Sequence, residues 1–262
     1  MTRWAPFLGL VALLTLAVLV VARRSTALLQ DATPPTRTTL GEPTADHPGV
    51  GEEPTPRDRE LTSPAASLST RALLANVVVT QGGLAAVVVL ALLYFDVPQP
   101  AVGLGQGPWV WGLDALALGV GLGLSLWLAS EAAGRLADAA GVAYDERLRE
   151  LLAPGTPAGW LALFVVVLPV IALAEELLFR AALIGVPAAG FGLSPWVLVG
   201  VSSALFALGH GAQGRLGIAA TGVLGLALGA AFVLTESLVV VVLAHYVVNA
   251  LEFGVHELVG LD

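Results

Sequence analysis

The chain has 262 residues, of which 56% are hydrophobic and only 12% are charged, and its formal net charge is −8. A soluble domain is typically about a quarter charged, so this composition predicts that most of the chain contacts lipid. The absence of cysteine excludes disulfides, a thiolate nucleophile and a cysteine metal site. The acidic excess also argues against nucleic-acid binding, which needs a basic surface.

Long apolar runs predict seven membrane helices, because about 20 apolar residues cross the hydrocarbon core as a helix. The fold class expected is therefore all-α, a polytopic transmembrane helix bundle. The first run could instead be a secretory signal peptide, since Arg3 precedes its apolar core, but Arg23 and Arg24 follow it directly and favour a retained anchor. The seven segments lie at about 7–22, 72–95, 109–130, 158–189, 193–210, 214–234 and 237–255.

Two polar segments divide the chain. Residues 23–71 are rich in Pro, Thr, Asp, Glu and Arg, a composition that predicts a disordered acidic linker. In residues 131–153 charged side chains alternate with Leu and Ala, a pattern typical of an amphipathic helix on the membrane surface. The predicted organisation is an N-terminal membrane anchor (1–22), the linker (23–71), two membrane helices with the surface helix (72–157) and a final helix bundle (158–255).

Arginine positions predict the orientation in the membrane. With seven crossings, the loops 23–71, 131–157 and 211–215 fall on one face and carry ten of the 12 arginines. Cytoplasmic loops carry an excess of basic residues, so this face is predicted to be cytoplasmic. The protein is therefore expected to be a multi-pass protein of the cell membrane, with its N-terminus outside and its C-terminus inside.

Ionisable side chains within apolar helices are costly to bury, so each indicates a function. Three of the last four predicted helices carry such groups or an amide: Glu175, Glu176, Arg180, His210, His245 and Asn249. Glu176 and Arg180 are four residues apart and are predicted to form an ion pair. Glu175 points about 100° away and needs a partner on another helix. The alternative is a buried ion pair that only locks two helices together.

Helix lengths predict which of these side chains can meet. If the chain reverses near residue 192, Glu175 and His210 both lie about 26 Å below that turn. His245 lies only about 13 Å below the outer side, counted from the turn before its helix. This mismatch requires the turn at 187–195 to protrude or the helices to tilt. Buried ionisable groups that react need access to water, so a cavity open to the arginine-rich, cytoplasmic face is expected.

Three motifs resemble those of the CAAX protease and bacteriocin-processing family, whose best-known members are the type II CAAX prenyl endopeptidases. They occur in the same order on apolar helices, and the resemblance covers about 158–255. It implies an intramembrane endopeptidase. The motifs read Glu175-Glu176-x-x-x-Arg180, Phe206-x-x-x-His210 and His245-x-x-x-Asn249.

The resemblance also implies roles for these residues. Glu175 would be the general base that activates a water with help from His210, and His245 and Asn249 would stabilise the oxyanion. Glu176 and Arg180 would orient the site. Metal use stays open, because Glu175, His210 and His245 are residue types that bind zinc, and a metal-free glutamate mechanism is equally compatible. The expected partners are membrane lipid and a peptide or protein substrate that the sequence does not identify.

Other functions are less well supported by the sequence. His256-Glu257 lacks the second histidine of a zincin motif, and Ser202 lies in only a partial match to a rhomboid-like serine context. The alternative of a different class is a non-catalytic membrane scaffold or a small proton-coupled transporter that uses the same Glu/His cluster, although no duplicated halves are evident. Because every candidate group follows residue 170, the first 70 residues are predicted to be dispensable for catalysis.

Overall fold

A computed structural model describes residues 2–31, 69–139, 141 and 147–260. Within these ranges no β-strand forms, and a single isolated bridge joins Leu104 to Ser237. The helices are α1 (Trp4–Asp31), α2 (Thr70–Tyr94), α3 (Gly112–Ala139), α4 (Arg147–Leu152), α5 (Pro157–Phe191), α6 (Pro195–Gly209), α7 (Gly214–Thr235) and α8 (Leu238–Val259).

Among the described residues, every helix except α4 and α6 is long and apolar enough to cross a membrane. Helix α6 is also apolar but has only 15 residues. Seven apolar helices therefore follow one another as the sequence predicted, and the all-α polytopic fold is confirmed.

The structure differs from the prediction in two segments. The membrane-spanning part of α1 ends at Arg24, but the helix continues to Asp31 into the predicted linker, most of which, 32–68, falls outside the described residues. Residues 131–139 do not start a surface helix but continue α3, because no proline separates them from the apolar run before them. Of the predicted amphipathic segment, only Arg147–Leu152 forms a separate helix within the described ranges.

Helix α1 is part of the bundle. Phe7 and Val11 are fully buried and belong to the same apolar cluster as Leu178 and Ala181 of α5. The indole of Trp4 lies against Gly190 near the C-terminal end of α5. Deleting α1 would leave a gap in this core. The dispensability of the first 70 residues for catalysis stays a prediction.

Helix α5 changes its winding twice. Residues Leu163–Val167 and Leu177–Gly185 are π-helical, and Pro169 and Pro187 each follow one of these stretches within two residues. A proline removes a backbone donor and its ring presses on the carbonyl four residues earlier, and a wider turn there relieves that contact. The helix consequently continues through both prolines and ends at Gly192, whose φ of 66° suits glycine.

Contacts at the end of the bundle that carries the 95–111 loop set the depth of the helices. Gly185 lies against the carbonyl of Ala101 and the ring of Phe232, while the N–H of Leu238 donates to Gly103 at 2.9 Å. Gly185 and the start of α8 are therefore level, and residues 186–191 extend beyond them. Glu176 lies nine positions before Gly185, and His245 lies nine positions after Glu236. The side chains of Glu176 and His245 therefore both lie about 13 Å below that level. The depth mismatch for His245 is resolved by this protruding turn.

Helix α3 packs mainly against α8. Gly119 lies against Leu243, and Gly123 lies against Val247 and the carbonyl of Ala244, at distances that leave no room for a larger side chain. Small residues of this kind let two membrane helices approach closely.

We predict that Gly185→Ala destabilises the bundle. A methyl group there would lie 2.1 Å from the carbonyl oxygen of Ala101, which is backbone and cannot move aside. We expect a loss of about 1–3 kcal/mol, as is typical of overpacking, measured by tryptophan fluorescence during unfolding in detergent micelles. Gly200→Ala is the matched control, because no atom outside its own helix lies within 4 Å of that position. Equal midpoints for the two variants would contradict the prediction.

Candidate functional site

A buried network of charged side chains joins three helices. Arg180 donates from Nη1 to Oε1 of Glu176 at 2.8 Å, and the two side chains are 1% and 0% exposed. The predicted ion pair is therefore confirmed. The same Oε1 accepts a hydrogen bond from Nδ1 of His245 at 2.7 Å, and Nη2 of Arg180 donates to the carbonyl of Gly225 at 3.2 Å. Helices α5, α7 and α8 are thus held together by this network.

Phe206 forms the apolar wall of the site, a role that the sequence analysis did not assign to it. The guanidinium of Arg180 lies 4.7 Å from the centre of its ring, and the imidazole of His210 packs 4.5 Å from it. The ring of His245 approaches edge-on at 6.0 Å. A cation over an aromatic face is stabilised where water is excluded, so Phe206 favours the buried position of Arg180 and orients both histidines.

Glu175 lies between the two histidines. Its Oε2 is 3.7 Å from Nε2 of His245 and 3.9 Å from Nε2 of His210, distances too long for direct hydrogen bonds. This oxygen is buried and has no hydrogen-bond partner among the described residues. The structure therefore brings three of the four predicted catalytic side chains together around one buried carboxylate oxygen.

The Nδ1 atom of each histidine makes a hydrogen bond that fixes the orientation of its ring. Nδ1 of His210 lies 2.8 Å from the carbonyl oxygen of Phe206, so Nδ1 carries the proton and Nε2 of a neutral ring is an acceptor. His245 makes the corresponding contact with Glu176. Both Nε2 atoms consequently face Glu175. His245 is 3% exposed, whereas the side chain of His210, at the end of α6, is 25% exposed.

Asn249 lies one helical turn after His245 and is half-buried. Among the described residues its side chain makes no hydrogen bond, so its predicted role in the site stays a prediction.

Gln81 of α2 is the side chain that the sequence analysis missed. Its Nε2 lies 3.5 Å from Oε1 of Glu175, on the side of the carboxylate away from the histidines. An amide in an otherwise apolar segment could have identified it, but spacing along α2 gives no link to a residue 94 positions later.

A second polar cluster lies two helical turns further along α8. His256 pairs with Glu131 of α3 at 2.8 Å, and Arg149 of α4 pairs with Glu252 and Glu257 at 2.7 Å each. Oxygen and nitrogen atoms of Glu131, Glu252 and His256 lie within 4.8 Å of one another. Because the guanidinium of Arg149 already neutralises Glu252, the cluster acts as a clamp between three helices.

The predicted metal ligands can be tested against the geometry of a zinc site. Zinc holds nitrogen and oxygen ligands at about 2.0–2.1 Å, which places them about 3.4 Å apart in a tetrahedron. Glu175, His210 and His245 offer suitable atoms but do not form a set in which all three lie within 4.8 Å of one another. They do not fit a metal unless a histidine moves. The reaction proposed for this site therefore uses the side chains alone.

The fold and the site define a polytopic helical membrane protein with a glutamate–histidine centre buried in its bundle. Residues 157–251 match the family described as type II CAAX prenyl endopeptidase Rce1-like, a family of intramembrane proteases. This match confirms the family that the three motifs predicted. It includes Glu175, His210 and His245, whereas Gln81 and Glu131 lie outside it. No curated protein and no solved structure matches the chain.

We predict that Glu176 and Arg180 are energetically coupled. Glu176→Gln or Arg180→Gln alone leaves an unpaired buried charge and should cost about 3–5 kcal/mol of unfolding free energy, whereas the double variant should lose less than the sum. Denaturant unfolding in micelles measures all three, with Glu236→Gln on an exposed turn as a control for charge removal. Strictly additive losses would show that the pair is not coupled.

Proposed function

We propose that the protein is an intramembrane endopeptidase in which Glu175 and His210 activate a water. The observation that carries the proposal is the buried, unpartnered Oε2 of Glu175, which faces Nε2 of both His210 and His245. Oε2 of Glu176 also lacks a partner among the described residues, so what distinguishes Glu175 is the pair of imidazole nitrogens that its Oε2 faces. The match of residues 157–251 to a family of intramembrane proteases supports the same function.

The water is placed by two acceptors. With its Nδ1 proton donated to Phe206, neutral His210 presents a lone pair at Nε2, 3.9 Å from Oε2 of Glu175. Two acceptors at this distance cannot bond to each other, but one water can donate a hydrogen to each. Its oxygen lone pair is then free to attack a carbonyl carbon.

The transition state requires donors for the developing oxyanion. We assign this role to Nε2 of His245 and the side-chain amide of Asn249, which share one face of α8. Nδ1 of His245 already donates to Glu176, so donation from Nε2 requires the doubly protonated imidazolium. The carboxylate of Glu176 supports that charged ring, as the aspartate of a catalytic triad does.

The proposed reaction balances without another reactant. Glu175 takes a proton as the water oxygen bonds to the carbonyl carbon, and the carbonyl oxygen becomes the oxyanion. The C–N bond then breaks, the amine nitrogen receives the proton from Glu175, and the products are one carboxylic acid and one amine. The substrate is a peptide segment within or at the membrane, and its sequence is not specified by the site.

Glu175→Gln should abolish proteolysis, because the amide cannot take the proton from water. We expect a fall of at least about 10²-fold in the cleavage rate of a quenched fluorescent transmembrane peptide by purified protein in liposomes. His210→Gln should fall by a similar factor. Glu150→Gln, at an exposed position, and His256→Gln, in the clamp, are the matched controls and should stay close to wild type.

The outcome separates the candidate functions. A wild type that cleaves no peptide, or an active Glu175→Gln variant, would contradict the endopeptidase proposal and favour a scaffold or transporter. Cleavage should persist in the presence of a metal chelator. Loss of cleavage that only added zinc restores would contradict the metal-free mechanism and leave the residue assignment in place.

We also propose that the arginine-rich face lies in the cytoplasm and that the site opens to it. Because the chain has no cysteine, single cysteines report sidedness without background. Gln106→Cys, in the loop after α2, should react with a membrane-impermeant maleimide on intact cells, and Glu150→Cys should react only after permeabilisation. The reverse pattern would show that the protein is inserted the other way.

A further inference from the structure

Gln81 is a polar residue at the site that lies outside the matched family region. Helix α2 is apolar enough to cross the membrane and packs against α5 beside Glu175. Gly82, the next residue, faces a methyl group of Val170 on α5. The amide of Gln81 is therefore held at the carboxylate by the packing of these helices.

The two ends of this amide have different surroundings. Its Nε2 is 3.5 Å from Oε1 of Glu175, whereas its Oε1 is buried and finds no hydrogen-bond partner in the part of the chain that the structure describes. Its neighbour Thr80, by contrast, is satisfied by the carbonyl of Asn76 within its own helix. A buried acceptor without a partner is unfavourable, and a leucine would fill the same space without that penalty. A role limited to helix packing does not account for the amide oxygen.

The arrangement divides the carboxylate of Glu175 between two functions. Gln81 holds Oε1, and Oε2 is left facing the two histidines where the water is placed. The amide oxygen of Gln81 is thus an unused acceptor next to the reacting group. A peptide entering the site in an extended form brings backbone N–H groups that find no water to bond in the bilayer.

We propose that Gln81 binds the substrate backbone: its amide oxygen accepts a hydrogen bond from a peptide N–H next to the scissile bond, and its amide N–H orients Glu175. This inference rests on the proposed endopeptidase function. It makes recognition at this point independent of the substrate side chain, because every non-proline residue offers the same donor.

The test pairs a protein variant with a substrate variant. Gln81→Met keeps the size and removes both hydrogen bonds, and Thr80→Val is the matched control one position away. The probe is the quenched fluorescent transmembrane peptide of the assay above, with its cleavage site mapped by mass spectrometry. It is resynthesised with single ester linkages that replace one backbone N–H at a time on either side of the scissile bond.

We expect Gln81→Met to lower kcat/KM at least about tenfold on the all-amide peptide. One ester peptide should be cleaved by wild type about tenfold more slowly. On that peptide Gln81→Met should lower kcat/KM by less than on the all-amide peptide, because only the loss of Glu175 orientation remains. Gln81→Asn, which keeps the amide on a shorter stem, should restore part of the activity. Thr80→Val should match wild type on every peptide.

The outcomes separate this inference from the function it rests on. Active wild type with an unchanged Gln81→Met variant, or a loss that is the same on all ester peptides, would overturn the substrate contact and leave the endopeptidase function intact. Absence of any Glu175-dependent cleavage by wild type would overturn both. Unfolding midpoints of Gln81→Met and Thr80→Val in micelles identify a loss that comes only from misfolding, which would also count against the contact.

Discussion

The ion pair of Glu176 and Arg180 is the interaction on which the rest of the site depends. A guanidinium that is 1% exposed within a membrane-spanning bundle is tolerated only if its charge and its N–H groups are matched. Glu176 neutralises the charge, the carbonyl of Gly225 accepts a further N–H, and the ring of Phe206 lies against the cation. Each of these partners lies on a particular helix, so the burial of one charge fixes the relative positions of α5, α6 and α7.

Adjacent carboxylates on one helix give this arrangement its chemical use. Successive residues of a helix point about 100° apart, so Glu176 faces the arginine while Glu175 faces the histidines. Oε1 of Glu176 accepts hydrogen bonds from both Arg180 and His245. Oε2 of Glu175 instead faces Nε2 of both histidines, without a hydrogen-bond partner among the described residues. Under the proposed mechanism, the structural and the chemical roles therefore belong to neighbouring residues that cannot exchange places.

Local periodicity predicted much of this structure. Hydropathy located the seven apolar helices, the i,i+4 spacing predicted the ion pair, and a count along the hairpin placed Glu175 and His210 together. The depth of His245 could not be derived, because it depends on Gly185 packing against Ala101, a contact between distant segments. Gln81 and the burial of Phe7 were missed for the same reason. The extension of α3 was missed because a helix can continue into water once it leaves the apolar core.

The packing of α3 has a consequence for how the bundle comes apart. Its contacts with the rest of the protein run mainly through α8, where glycines meet the facing backbone, and Glu131 near its C-terminal end pairs with His256. In lipid such packing gains nothing from the hydrophobic effect, because acyl chains replace the lost contacts. Separation of α3 is therefore a sub-global opening that costs less free energy than complete unfolding. The contact between Glu131 and His256 is its hinge. It would uncover α8 to lipid while the charges of Glu176 and Arg180 remain paired.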